Sequence, residues 1–316
     1  SELAGIAALN GGTNIVGCEN SGAISFQTSG CHAYAGGIVG NEYRASSGSQ
    51  FTIEDCKNTG DIYGDVENGA ATIGGVIGET TRKGDNSNST IKNCTNAGNL
   101  YGTGEIGGVI GAVNHGHIYT LNGEEIVSNG DNFLVEGCGN SGTITVKKGV
   151  DGTSSWAGGV FGKVNIAKNG TVYIKDCGNS GSIYSENGKS DRNVDVLGGI
   201  GASLENVGCA DGTANSYIYI ESCFNKGFVD DSVNYCSDQI GGISGGNTAV
   251  TNCNYTGNRF QTDADGNVHA YYPDGTPIRN QFIFDGYFTY YIQADGTAMK
   301  DNLTYHPDGT HIICFD

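Results

Sequence analysis

Apolar and polar positions in this chain alternate in short runs that close on the same punctuation again and again. In Thr52-Ile53-Glu54-Asp55-Cys56-Lys57-Asn58-Thr59-Gly60-Asp61-Ile62 a short alternating run reaches a cysteine. Asn follows two places on, Gly four and Ile six. The cysteine recurs at Cys18, Cys56, Cys94, Cys138, Cys177, Cys223 and Cys253, in steps of 38, 38, 44, 39, 46 and 30 residues. The Asn recurs at Asn20, Asn58, Asn96, Asn140, Asn179 and Asn225, and Tyr255 replaces it in the last copy. The Gly is present in every copy, from Gly22 to Gly257. Recurrence at this period is the mark of stacked repeats, each too small to bury a core alone.

Each repeat predicts three short strands. The first carries Ile53, Ile91, Val135, Ile174 or Ile220 in alternation with polar residues just before the cysteine, as suits a strand with one buried face. The Asn and Gly then predict a turn, with Gly supplying a positive φ and stacked Asn side chains bonding from coil to coil. The second strand runs through Ile24, Ile62, Leu100, Ile144, Ile183 and Val229, usually beside an aromatic residue. The third is a Gly-Gly-apolar segment such as Ala35-Gly36-Gly37-Ile38-Val39-Gly40 or Ile73 to Gly78, where small residues allow close backbone approach. Leu197-Gly198-Gly199-Ile200-Gly201-Ala202 departs from it at the final position. The two longest repeats place their extra length in 116–131 and 201–216, which read as projecting loops. The predicted fold is all-β: a parallel β-helix-like solenoid of about seven irregular coils over residues 1–257. Past residue 258 aromatic runs separated by Asp265-Gly266, Asp274-Gly275, Asp285-Gly286, Asp295-Gly296 and Asp308-Gly309 predict hairpins, and 258–316 reads as a small β-hairpin repeat domain.

Composition sharpens this picture. There are 54 Gly and only 3 Pro, and the Gly positions are periodic, which marks structural turns rather than low complexity. The net charge of −18 repels phosphate backbones and anionic lipid, which argues against nucleic acid and membrane-surface partners. No apolar run reaches the length of a membrane span. Ala4-Gly5-Ile6-Ala7-Ala8 reads as the tail of an earlier repeat, so a monomeric fragment of a larger protein is expected. Coil-to-coil stacking puts successive motif cysteines ~4.8 Å apart, whereas disulfide Cβ atoms sit about 3.8 Å apart. A column of reduced, buried thiols is therefore expected. Zinc would need closely spaced Cys pairs, and none occurs. Cys31, Cys209, Cys236 and Cys314 lie outside the column, and spacing leaves open a bridge between Cys209 and Cys236.

The closing Gly37-Ile38-Val39-Gly40, Gly75-Val76-Ile77-Gly78, Gly108-Val109-Ile110-Gly111 and Gly159-Val160-Phe161-Gly162, in phase with Cys-x-Asn-x-Gly, resemble the GLUG repeat of bacterial adhesin-like surface proteins. Tyr271-Tyr272-Pro273-Asp274-Gly275-Thr276 and the segment Tyr290 to Thr297 resemble choline- or glucan-binding cell-wall repeats of Gram-positive bacteria. That resemblance implies glycan or choline contacts by Tyr271, Tyr272, Phe282, Tyr290 and Tyr291, with a cage of Tyr271, Tyr290 and Phe282. Phe282 and Leu303 stand where the family places Trp, and the chain's one Trp is Trp156, so any cation–π cage here is weaker.

Catalytic patterns are sparse. Hydrolysis of a glycan needs two carboxylates facing across a cleft; Asp61, Glu79, Asp230 and Asp231 form no marked pair in the sequence. His115-Gly116-His117 resembles part of a polygalacturonase site but lacks its companion segments. Asp263-Ala264-Asp265-Gly266-Asn267 starts like a calcium loop, yet its Gly falls at the fourth position instead of the sixth, and a plain hairpin turn fits better. No cofactor is expected. The sequence thus predicts a non-enzymatic, extracellular, cell-wall-associated stalk or adhesin whose partners are host or cell-wall glycans or proteins. The rival expectation is a carbohydrate-active β-helix enzyme centred on His115 and His117.

Overall fold

The computed structural model describes residues 1–30, 32–44, 50–67, 69–82, 88–115, 118–121, 124–127, 132–149, 154–166, 169–187, 194–206, 216–230, 233, 235–237, 247–251, 254–255, 260–263, 266–271, 277–284, 289–300, 302–305 and 312–315. The chain divides into two compact units, Ser1–Tyr255 and Thr256–Asp316. The first is an all-β, β-helix-like solenoid of parallel strands stacked in sheets.

One coil shows the plan. Phe51–Glu54, Lys57–Asn58, Ile62–Glu67, Ala71–Gly74 and Ile77–Arg82 are its five strands. Each pairs in parallel with its counterpart one repeat away, as Ile53 does with Ile15 and Ile91. The five stacks are named here the first to fifth sheets in that order. Five strands replace the three predicted, for two reasons. The cysteine motif makes a short strand of its own, and the Gly-Gly segment breaks the last strand in two. A Cβ on Gly74 would lie 1.7 Å from the Ile77 oxygen, so only glycine permits that fold of the chain.

The turn before each cysteine also differs from expectation. Gly17, Asp55, Asn93, Gly137, Asp176 and Ser222, each immediately preceding a motif cysteine, take φ values between 52° and 64°. Asp, Asn and Gly are the residues that tolerate this left-handed region best. The conserved-phase Gly four places past the cysteine has no positive φ. It is needed for space: a Cβ on Gly98 would lie 2.0 Å from the Gly60 oxygen of the neighbouring coil.

The interior is two columns rather than one. Ile38, Phe51, Ile53, Val76, Ile77, Ile110, Phe133, Phe161 and the motif cysteines fill the first. Ala33, Ala35, Ile62, Ile73, Leu100, Ile106, Ile144 and Leu197 fill the second. Between them stands the Asn column, whose side chains meet the Gly-Gly bend across the tube. A Cβ on Gly75 would fall 2.3 Å from Asn96 Cγ, and one on Gly108 2.5 Å from that of Asn140. Each buried aliphatic side chain contributes roughly 1.5–3 kcal/mol before entropy is counted.

Compensation explains the odd repeat. Gly201 pairs with Phe161, and a Cβ there would lie 1.9 Å from the Phe161 ring. The large residue of one coil occupies the space that the next leaves empty. The stretches predicted as loops contain strands. Ile118–Leu121 and Glu124–Val127 form an antiparallel hairpin, and Gly201–Asn206 is a strand of the fifth sheet.

The second unit contains three antiparallel pairs: Phe260–Thr262 with Val268–Ala270, Gln281–Phe284 with Thr289–Ile292, and Asn302–Tyr305 with Ile312–Phe315. Ala270, Ile278, Ile283 and Ile292 are its buried cluster. The Asp263 segment is a hairpin turn, in which Oδ1 accepts from the Asn267 backbone N–H at 2.8 Å and Oδ2 from its side chain at 3.0 Å.

Candidate binding groove and interior columns

The two motif columns behave differently. Each Asn Nδ2 donates at 2.8 Å to the next Oδ1, in an unbroken run from Asn20 through Asn58, Asn96, Asn140 and Asn179 to Asn225. Its second proton goes to the carbonyl of the Gly two places on, at 2.8–2.9 Å. A buried polar group is tolerated only when so paired, and here the pairing repeats without a gap.

Cys18, Cys56, Cys94, Cys138, Cys177 and Cys223 form no disulfide, and all but Cys18 are buried. Cys94 Sγ donates to the Lys92 carbonyl at 3.2 Å, and the Cys94 N–H donates to Cys138 Sγ at 3.4 Å. Sharing with the Cys94 thiol and burial push Cys56 far above the ordinary thiol range. Cys223 is pushed up likewise, by Cys177 and burial. Cys94 is drawn down by hydrogen bonds from Cys138 and Cys56, so a charge forced on the column would rest there. The thiols pack with the apolar side chains of the first column. Cys31, Cys209 and Cys253, and the side chains of Cys236, Tyr255 and Cys314, lie outside the described residues.

Outside the tube, the corner between the fourth and fifth sheets is concave. In the fourth sheet Ala35, Ile73, Ile106, Ala157 and Leu197 point inward, so the alternate residues Tyr34, Thr72, Glu105, Trp156 and Val196 point out, in register. In the fifth sheet Val113, Val164 and Leu204 point inward, and the preceding row Asn41, Glu79, Ala112, Lys163 and Ser203 points out. Yet Asn41, Glu79, Ala112 and Ser203 are buried. They are covered because the two outward rows face each other across the Gly-Gly bend: Lys163 Nζ lies 4.5 Å over the Trp156 ring.

Hydrogen bonds run along this groove. His32 Nε2 lies 2.8 Å from Thr72 Oγ1, which donates to Glu105 Oε2 at 2.9 Å. The His32 and Tyr34 rings are 4.8 Å apart. Asn165 Nδ2 donates to Asn114 Oδ1 at 2.7 Å, and Asn114 Nδ2 donates to Glu79 Oε1. Burial raises the Glu79 carboxyl above its ordinary range against the lowering effect of Asn114 and Thr81. Burial, then the Glu79 and Glu105 carboxylates, push the Tyr34 hydroxyl up to about 12. Among the described residues no group of three His, Cys, Asp or Glu side chains could hold a metal ion.

Other predicted positions fall differently. His115 is fully buried inside the cysteine-lined column, with Nε2 2.9 Å from Thr80 Oγ1 and its ring edge-on to Phe133. It cannot reach a polysaccharide, which removes half of the predicted catalytic pair; His117 lies outside the described residues. In the second unit Phe282 pairs with Tyr291, their rings 5.0 Å apart. Tyr290 lies opposite Ile283 on the other face and packs on the small core. Strand alternation therefore separates Phe282 from Tyr290, and the cage expected of Tyr271, Tyr290 and Phe282 is not assembled. Tyr271 bridges to Pro277, and Tyr272 lies outside the described residues.

Sequence reasoning missed the groove. Its one legible signal was Trp156, an aromatic residue out of phase with the inward Ala157. Elsewhere tyrosines stack on their counterparts one coil away. Tyr63 and Tyr101, 4.6 Å apart, and Tyr173 and Tyr219, 4.9 Å apart, lie nearly parallel along the stack, so each ring covers its neighbour's face.

No protein-family model matches this sequence, and no curated protein or solved structure is similar to it.

Proposed function

We propose that this chain is a non-enzymatic bacterial surface module, a stalk or adhesin of about seven irregular coils whose concave side groove holds an extended glycan. The groove carries the reading. It sets aromatic rings (Tyr34, Trp156), a carboxylate (Glu105) and amides (Asn114, Asn165) around one corner. Flat rings with a few convergent polar groups suit sugar recognition. The coil repeat of ~4.8 Å is close to the rise of one sugar unit in an extended polysaccharide, so successive coils offer successive units similar surroundings. The GLUG-like repeats support a cell-surface location. The hairpins of 258–316, read as a small repeat domain, would attach the module to the wall through half-buried aromatic residues such as Phe282 and Tyr291.

A glycan array probed with the whole chain tests this. Binding to extended polysaccharides is expected, weakened at least tenfold by Trp156→Ala. Binding that is absent, or unchanged by that substitution, would refute the groove reading.

A further inference from the structure

Two acceptors in the groove wall lack a hydrogen-bond partner, although the Tyr34 hydroxyl and Thr81 approach the Glu79 carboxyl. Glu79 Oε2 and Asn41 Oδ1 are buried without a hydrogen-bond partner, and each residue is 6% exposed. The two residues are register partners on adjacent strands of the fifth sheet, in the same outward row, where side chains one strand apart are in contact range. A buried acceptor without a partner carries the full cost of its desolvation, and here two lie side by side. Neither has room for a ligand, since neither atom reaches the surface. The one group small enough to satisfy both is a proton.

We propose that the folded protein holds Glu79 as a carboxylic acid whose Oε2–H donates to Asn41 Oδ1. The proton closes a continuous chain across the groove wall: Asn165 to Asn114, Asn114 to Glu79, and Glu79 to Asn41. All of its other links are present. The surroundings agree. Glu105 and the Tyr34 ring face Glu79 from the fourth sheet, His32 lies beyond them, and Thr81 and Asn114 flank it on the fifth. Burial and the Glu105 charge disfavour a second carboxylate, while Thr81, Asn114 and a charged His32 oppose them, and burial is the largest of these effects. The chain stands whether or not the groove holds a glycan.

The sign of the pH dependence follows. An acid that binds its proton more tightly when folded adds stability at low pH. That stability is lost as pH rises from the ordinary glutamate value, ~4.3, through the raised one. Carboxyl-carbon NMR titration of the full chain, with the Glu79 signal assigned by its loss in Glu79→Gln, reads this directly. The expected midpoint lies above the ordinary glutamate value, ~4.3. Glu79→Gln, whose amide donates to Asn41 and still accepts from Asn114, should raise the melting temperature at pH 7.5 and flatten its pH dependence. Asn41→Leu deepens burial but removes the acceptor, so it should lower the Glu79 midpoint. A midpoint in the ordinary range would overturn the proposal and assign the missing donor to the Asn41 amide turned end for end. A midpoint raised equally in Asn41→Leu would overturn it too, since burial alone would then account for the shift.

Discussion

The asparagine column and the cysteine column run through the same short strands, two residues apart, and they hold the coils together by opposite means. The asparagines form a polar wall in which every amide is spoken for by a neighbour above, a neighbour below and a local carbonyl. The cysteines line an apolar compartment and make only weak contacts to carbonyls. One column depends on every member; the other needs only volume. Position in the coil, and not burial, therefore decides how costly a substitution is.

The apolar compartment sets the upper limit. Ile110→Asp would put a carboxylate between Ile77 and Phe161, with no partner and no path to water. It should remove the cooperative unfolding transition of the neighbouring coils, and an unchanged melting temperature would contradict the packing described. Next comes the wall itself. Asn96→Leu strands Asn58 Nδ2, the Gly98 carbonyl and part of the Asn140 acceptor. At about 1–3 kcal/mol per unpaired group, chemical denaturation should show a loss of roughly 2–5 kcal/mol. Gly108→Ala presses on the wall from across the tube, since its Cβ would lie 2.1 Å from the Gly159 oxygen. Overpacking of this kind costs roughly 1–3 kcal/mol, again read by denaturation. Cys94→Ala removes one sulfur from a well-filled space and should cost only about 1 kcal/mol. If Cys94→Ala proves as damaging as Asn96→Leu, the contrast between the columns fails.

Repeat, register and the stacked thiols could be read from the chain because each leaves a periodic trace. Asn58 and Asn96, thirty-eight residues apart in the sequence, are hydrogen-bonded neighbours. The left-handed bend was equally visible in Asp55, Asn93 and Asp176, but attention to the more regular Gly assigned the positive φ to the wrong residue. The division of the interior could not be read. Whether Asn96 faces water or a Gly-Gly bend depends on how the far side of the coil closes, and alternation along one strand carries no such information. The groove was hidden for the same reason. Glu79, Thr72 and Trp156 belong to three strands in two coils, and their meeting is a property of one re-entrant corner. His115 misled in the other direction, since a polar residue on an inward position reads from sequence as available chemistry.

The amides of the wall all point one way: each Nδ2 is directed toward the coil that follows it in the sequence. The two ends of any stretch of this solenoid are therefore unlike, one offering a spare oxygen and the other a spare N–H. A coil leaving the ribosome meets a finished template already holding out its donor, so assembly has a built-in direction matching that of synthesis. A reversed or frame-shifted coil would bring like groups together and be rejected.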